Sequence, residues 1–110
     1  MLFRSLLKPD SAEAHNNWGL ALANQSKLAE ASDHFRQALQ IKPHSAEIHT
    51  NLGLALAQQG NSAEASDHFR QALQINPDFA QARSSLLNAL PAAGMGKEEA
   101  APSRKAERMK

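Results

Sequence analysis

A chain of 110 residues, 42% hydrophobic and 21% charged, has room for one modest domain. Lacking cysteine, it has no disulfide framework, thiolate metal centre or thiol catalysis. Its net charge of +1 is unevenly spread: residues 97–110 carry five basic and three acidic side chains, leaving seven against eight in residues 1–96. A body without a basic surplus argues against nucleic acid as a partner.

No apolar run reaches the length of a membrane span. The opening Met1–Lys8 is too short and too soon charged for a standard export signal, so the cytoplasm is the default compartment. Within it Leu2, Phe3, Leu6 and Leu7 crowd the first turns, and Leu7-Lys8-Pro9-Asp10 shares its pattern with Ile41-Lys42-Pro43-His44 and Ile75-Asn76-Pro77-Asp78. Residues 1–10 therefore read as a partial helix of a preceding unit or an N-terminal cap.

Residues 12–45 and 46–79 follow as two copies of one unit, identical at 24 of 34 positions. Such a period is the signature of a stacked repeat architecture. Each unit predicts two helices. Ala14, Trp18, Ala21 and Leu22 form an apolar stripe at three- and four-residue spacing, followed by Leu28, Ala31, Phe35, Ala38, Leu39 and Ile41. The second unit repeats both stripes with Ile48, Leu52, Ala55 and Leu56, then Ala65, Phe69, Ala72, Leu73 and Ile75. Helices are predicted at 11–24, 28–41, 45–58, 62–75 and 79–90.

Asp10 before Glu13 and Asn61 before Glu64 have capping-box spacing. Gly60 suits a left-handed helix end, with Ser26 in the matching place, and Pro43 and Pro77 stop the second helices. Residues 80–91 give a terminal first helix, a half repeat or cap, and residues 92–110 a flexible tail of glycine, alanine and mixed charge.

The 34-residue unit with Gly19, Leu22, Ala31, Phe35, Ala38 and Pro43, and again Gly53, Leu56, Ala65, Phe69, Ala72 and Pro77, resembles the tetratricopeptide repeat. It departs from the family pattern at His15 and His49, where tryptophan is usual, and at Leu22 and Leu56, where tyrosine is. The resemblance covers about residues 2–90. It implies an all-α fold, a short right-handed superhelical solenoid of antiparallel helix pairs with a 34-residue period. Gly19 and Gly53 are expected at the helix crossings, faced by Ala31 and Ala65.

The resemblance also implies that the first helices line a concave, peptide-binding face. Its residues are Glu13, Asn16, Asn17, Leu20 and Asn24, then Glu47, Thr50, Asn51, Leu54 and Gln58, then Gln81, Ser84, Ser85 and Asn88. Asn17, Asn51 and Ser85 recur at the repeat spacing as a ladder of polar side chains able to grip a peptide backbone. The ladder is similar in style to those of bacterial tetratricopeptide repeat proteins and of the repeat region of O-linked N-acetylglucosamine transferases. The basic clamp that the chaperone-tail variety uses for a terminal carboxylate is missing, since its slots fall on Asn16, Leu20, Asn51, Gln81 and Ser85. A groove carrying Glu13 and Glu47 suits a neutral or mildly basic peptide.

Other chemistry has little support. No nucleophile elbow, phosphate loop, zinc-protease or dinucleotide motif occurs, so neither catalysis nor a cofactor is expected. His34 and His68, like His15 and His49, lie one repeat apart, about 10 Å by helix packing distances and too far to share one metal ion. His15 and His49 are expected to pack against neighbouring units, and His34 and His68 to face solvent. The expected partner is a protein or peptide. Two alternatives stand beside it: self-association through the end helices, and a segment of a larger repeat-containing enzyme. Leu86, Leu87 and Leu90, which line the last helix, either cover the adjacent repeat or offer that associating end.

Overall fold

The computed structural model describes residues 11–90. They form α1 (Ala12–Asn24), α2 (Leu28–Ile41), α3 (Ala46–Gln58), α4 (Ser62–Ile75) and α5 (Ala80–Ala89), with no strand among the described residues. Every boundary lies within one residue of the range predicted from periodicity. The expectations for residues 1–10 and 92–110 lie outside the described residues.

The helix starts differ from the capping-box reading. Ser11 and Ser45 cap α1 and α3, each hydroxyl accepting the N–H three residues on, from Ala14 at 3.3 Å and Ile48 at 3.2 Å. Asn61 makes no side-chain cap at α4. Glu64, its expected partner, instead accepts from the Arg36 guanidinium of α2 at 3.1 Å. Asp10 lies outside the described residues.

Both first helices end in the same motif. Lys27 N–H donates to Leu22 C=O and Asn61 N–H to Leu56 C=O, each at 2.9 Å. That closure requires a left-handed residue just before the donor, supplied by Ser26 (φ 65°) and Gly60 (φ 89°). Pro43 and Pro77 follow the ends of α2 and α4. Ile41 and Ile75, assigned to the apolar stripes, remain exposed, each being the last residue of its helix.

Consecutive helices pack in chain order, and the first helices α1, α3 and α5 also neighbour one another. Ala31, Phe35, Ala38, Ala65, Phe69 and Ala72 of the second helices fill the core with Ile48, Leu52, Ala55 and Leu56 of α3. A Cβ at Gly19 would stand 2.6 Å from Cε1 of Phe35, and one at Gly53 2.5 Å from Cε1 of Phe69. The nearest atoms across from these glycines are thus phenylalanine rings, not the expected Ala31 and Ala65. The missing side chain makes room for an aromatic edge.

Two further expectations are corrected. Ala14, Trp18 and Ala21 are exposed, because no described helix lies on their side of α1. Trp18 is 55% exposed where Leu52, one repeat on, is 1%. At the other end Leu86 and Leu90 have no exposed surface, being part of the core, and only Leu87, 42% exposed, is available for end association.

Candidate interaction face

The first helices α1, α3 and α5 lie side by side, so equivalent positions of successive units form rows across them. Glu13, Asn17, Leu20 and Asn24 are exposed on α1; Glu47 and Gln58 on α3; Gln81, Ser84 and Asn88 on α5. Asn51, Leu54 and Ser85 are half-buried. Leu20 is 38% exposed, a large apolar side chain one helical turn after Asn16 and Asn17.

Two assigned residues are not free to line the face. Thr50 has no exposed surface, and its hydroxyl donates to the Ala46 carbonyl one turn earlier at 2.8 Å. Asn16 is buried, and its side-chain carbonyl accepts from the Asn51 amide at 2.9 Å. The amide row is therefore already tied between units. Asn51 spends one donor on α1, while Asn17 stands exposed beside that link.

A second inter-unit tie was missed in the sequence. The Gln59 amide at the end of α3 donates to Ser32 Oγ at 2.8 Å, with Leu28 C=O at 3.4 Å, both on α2. A glutamine after a helix carries no signal by itself; the contact exists only because α2 and α3 are packed.

The histidines pair within units, which was not expected, while His49 also meets the neighbouring unit at Pro43, as expected. Nδ1 of His15 lies 3.1 Å from Nδ1 of His34, and His49 and His68 repeat that distance. His34 and His68 are half-buried and face a partner ring instead of solvent. The second pair has a defined proton order. Pro43 C=O only accepts, so His49 Nε2, 2.9 Å away, carries the proton, leaving Nδ1 of neutral His49 to accept from Nδ1–H of His68. Burial, followed by the nearby His49, lowers the His68 pKa below the ordinary 6.5; Arg36 also lowers it, while Glu64 and Asp67 act the other way. In the first unit Trp18 stacks on His34 with ring centres 4.0 Å apart.

No group of three or more metal-ligating side chains converges among the described residues. No helix among them is long and apolar enough to cross a membrane. Arg83, in the slot of His15 and His49, is exposed, and its guanidinium donates to Pro77 C=O at 2.7 Å.

Comparison with known proteins agrees with this helix pairing. Residues 10–78 match the tetratricopeptide repeat family. A crystal structure of MamA superposes with a TM-score of 0.78 at 26% identity, covering 91% of this chain and 54% of that one. A MamA AMB-1 structure gives 0.75 at 28% identity, covering 94% and 57%. The Sgt2 repeat domain from Aspergillus fumigatus gives 0.76 at 24% identity, covering 81% and 60%, which speaks to fold alone. The chain thus spans little more than half of these two MamA chains. No curated protein matches it in sequence. With two glycine-to-phenylalanine helix crossings one repeat apart and a match over residues 10–78, the chain belongs to the tetratricopeptide repeat family.

Proposed function

We propose that this chain is a non-catalytic protein-interaction module whose first-helix face takes an extended peptide or one side of a partner helix. The observation that supports this reading is Leu20, an exposed leucine one turn after Asn16 and Asn17 on α1, where Asn16 is linked to Asn51 of α3. An apolar anchor among amide groups suits a ligand offering a small apolar side chain and unpaired backbone polar groups. Glu13 and Glu47 lie exposed on the same helices, so neutral or lysine-bearing peptides are favoured over acidic ones.

The test uses immobilised short synthetic peptides of neutral, lysine-bearing and glutamate-bearing composition. Asn17→Ala is the clean variant, because Asn51→Ala also breaks the link to Asn16. Asn17→Ala and Leu20→Glu are each expected to weaken capture roughly tenfold, the scale of one lost hydrogen bond or apolar anchor, without changing the melting temperature. Capture that ignores both variants, or prefers the acidic peptides, would remove the basis of the proposal.

A further inference from the structure

Three side chains recur together on the first helices. Glu13, Asn17 and Leu20 share one face of α1, and Glu47, Asn51 and Leu54 hold the same places on α3. Along each helix the amide stands about 6 Å beyond the carboxylate, and the leucine about 4.5 Å further on. An acidic, an amide and an apolar row therefore run side by side across α1 and α3. On α5 the same places hold Gln81, Ser85 and Asn88, so the carboxylate and the leucine stop after two units.

A ligand lying along the amide row crosses the helices and meets the same three groups at each step. The step is the separation of neighbouring helices, about 8–10 Å. The Asn51 to Asn16 hydrogen bond of 2.9 Å joins α1 and α3 on this face. That period selects a backbone conformation. A β-strand turns the same side to a surface every second residue, about 6.6 Å, and again at about 13 Å, both out of step. An α-helix comes into step after seven residues, about 10.5 Å, but its backbone groups are bonded internally and leave the amides unused. A polyproline II segment repeats every third residue, about 9.3 Å, with its backbone N–H and C=O groups free. Asn51 keeps one N–H and its carbonyl after its bond to Asn16, which suits such a backbone.

Resting on the reading of this face as a peptide site, we infer that its ligand is a left-handed extended segment with a three-residue period. Such a segment has three sides about 120° apart. Seated on the amide row, it turns one side to the apolar row, one to the acidic row and the third to solvent. Each triplet then carries a small apolar residue towards Leu20 or Leu54, a lysine towards Glu13 or Glu47, and an outward proline. Charge favours the lysine, because α1 and α3 contain no Lys or Arg to oppose it. Leu20 is 38% exposed and Leu54 half-buried, which gives shallow contacts suited to alanine or valine. Proline fixes the extended conformation beforehand and so lowers the ordering cost of binding.

The test measures binding of end-blocked, labelled peptides of one to four Ala-Lys-Pro triplets to the full chain by fluorescence anisotropy. Two triplets should bind at least about tenfold tighter than one, because the second reaches α3. Four should gain less than about threefold over two, since α5 adds neither carboxylate nor leucine. The four-triplet peptide should also bind about tenfold tighter than a peptide of the same composition in scrambled order. Equal binding of the scrambled peptide, still weakened by Asn17→Ala, overturns the three-residue period and leaves the peptide-binding reading standing. Tighter binding of a helical peptide of alanine and lysine likewise overturns the period and gives the face to a partner helix. Failure of every peptide to bind overturns both.

Discussion

Helices α2 and α4 share thirteen consecutive residues, Ala29–Ile41 and Ala63–Ile75, and bury the same set: Ala31, Ser32, Phe35 and Ala38, then Ala65, Ser66, Phe69 and Ala72. Helices α1 and α3 are less alike, differing at Ala14/Ile48, Asn16/Thr50, Trp18/Leu52 and Asn24/Gln58. Two of these differences, Ala14/Ile48 and Trp18/Leu52, fall where α3 is buried and α1 is exposed. Identical second helices are possible because each meets a first helix before it and another after it in the chain. The first helices diverge because α3 has a neighbour on both sides and α1, among the described helices, on one. Burial in a solenoid belongs to the stack of neighbours as much as to the unit.

The sharpest way to break this comparison is to truncate the same slot in both units. Leu52→Ala removes a fully buried side chain and should cost about 3 kcal/mol. Trp18→Ala deletes a larger side chain but should cost only about 1 kcal/mol, the scale of its stacking on His34. Urea unfolding of both variants measures the gap. Equal costs would mean that α1 is as enclosed as α3, contrary to its exposed face.

Where the units are alike, the effects should be alike. Gly53→Val drives a β-carbon into the Phe69 ring and should cost about 2 kcal/mol through overpacking. Gly19→Val meets Phe35 at nearly the same distance, so its cost should agree to within about 0.5 kcal/mol, the usual margin for independent sites. Pairing Gly53→Val with Phe69→Leu should recover part of the loss. If the double variant shows no recovery, the ring is not what the glycine accommodates.

Periodicity made the five helices legible almost to the residue, because stripes, prolines and the left-handed turn position are written locally. The Schellman-type closure at Ser26 was foreseeable only by analogy with Gly60. What stayed hidden required knowing which surfaces meet. The stripe Ala14–Trp18–Ala21 marks a face suited to burial without saying whether a neighbour is there. The triplet Leu86, Leu87, Leu90 reads equally as a cover on the adjacent repeat or as an associating end; two of its members are buried as a cover and Leu87 is exposed. His15 and His34 are nineteen residues apart, and only the angle at which α1 crosses α2 puts their rings together. On the proposed face, exposure was readable for Asn17 and Leu20, whereas Thr50 and Asn16 were lost to hydrogen bonds that a helical projection does not contain.

A smaller contrast lies in the turns. Ser26 and Gly60 adopt the same left-handed conformation, which costs an L-residue about 1 kcal/mol and glycine almost nothing. A Cβ at Gly60 would meet no atom within 4 Å, so backbone conformation alone sets the cost there. Ser26→Gly should raise stability by about 1 kcal/mol and Gly60→Ser lower it by about the same. Matching shifts of opposite sign in thermal unfolding are expected. Two shifts of the same sign would show that the side chains, not the backbone, control these turns.

The smallest expected effect separates the units by pH. His68 has its folded pKa lowered, so between pH 6.5 and that lower value the unfolded chain holds more protons than the folded one. Stability is therefore complete above pH 6.5 and declines as pH falls through the folded pKa. Glu64 and Asp67 favour the proton that burial, His49 and Arg36 resist, and so limit the decline. His68→Gln should flatten this part of the pH profile, provided the glutamine amide donates to His49 Nδ1. A profile that keeps its slope in His68→Gln would place the titration elsewhere and leave the His49–His68 bond without a role in acid sensitivity.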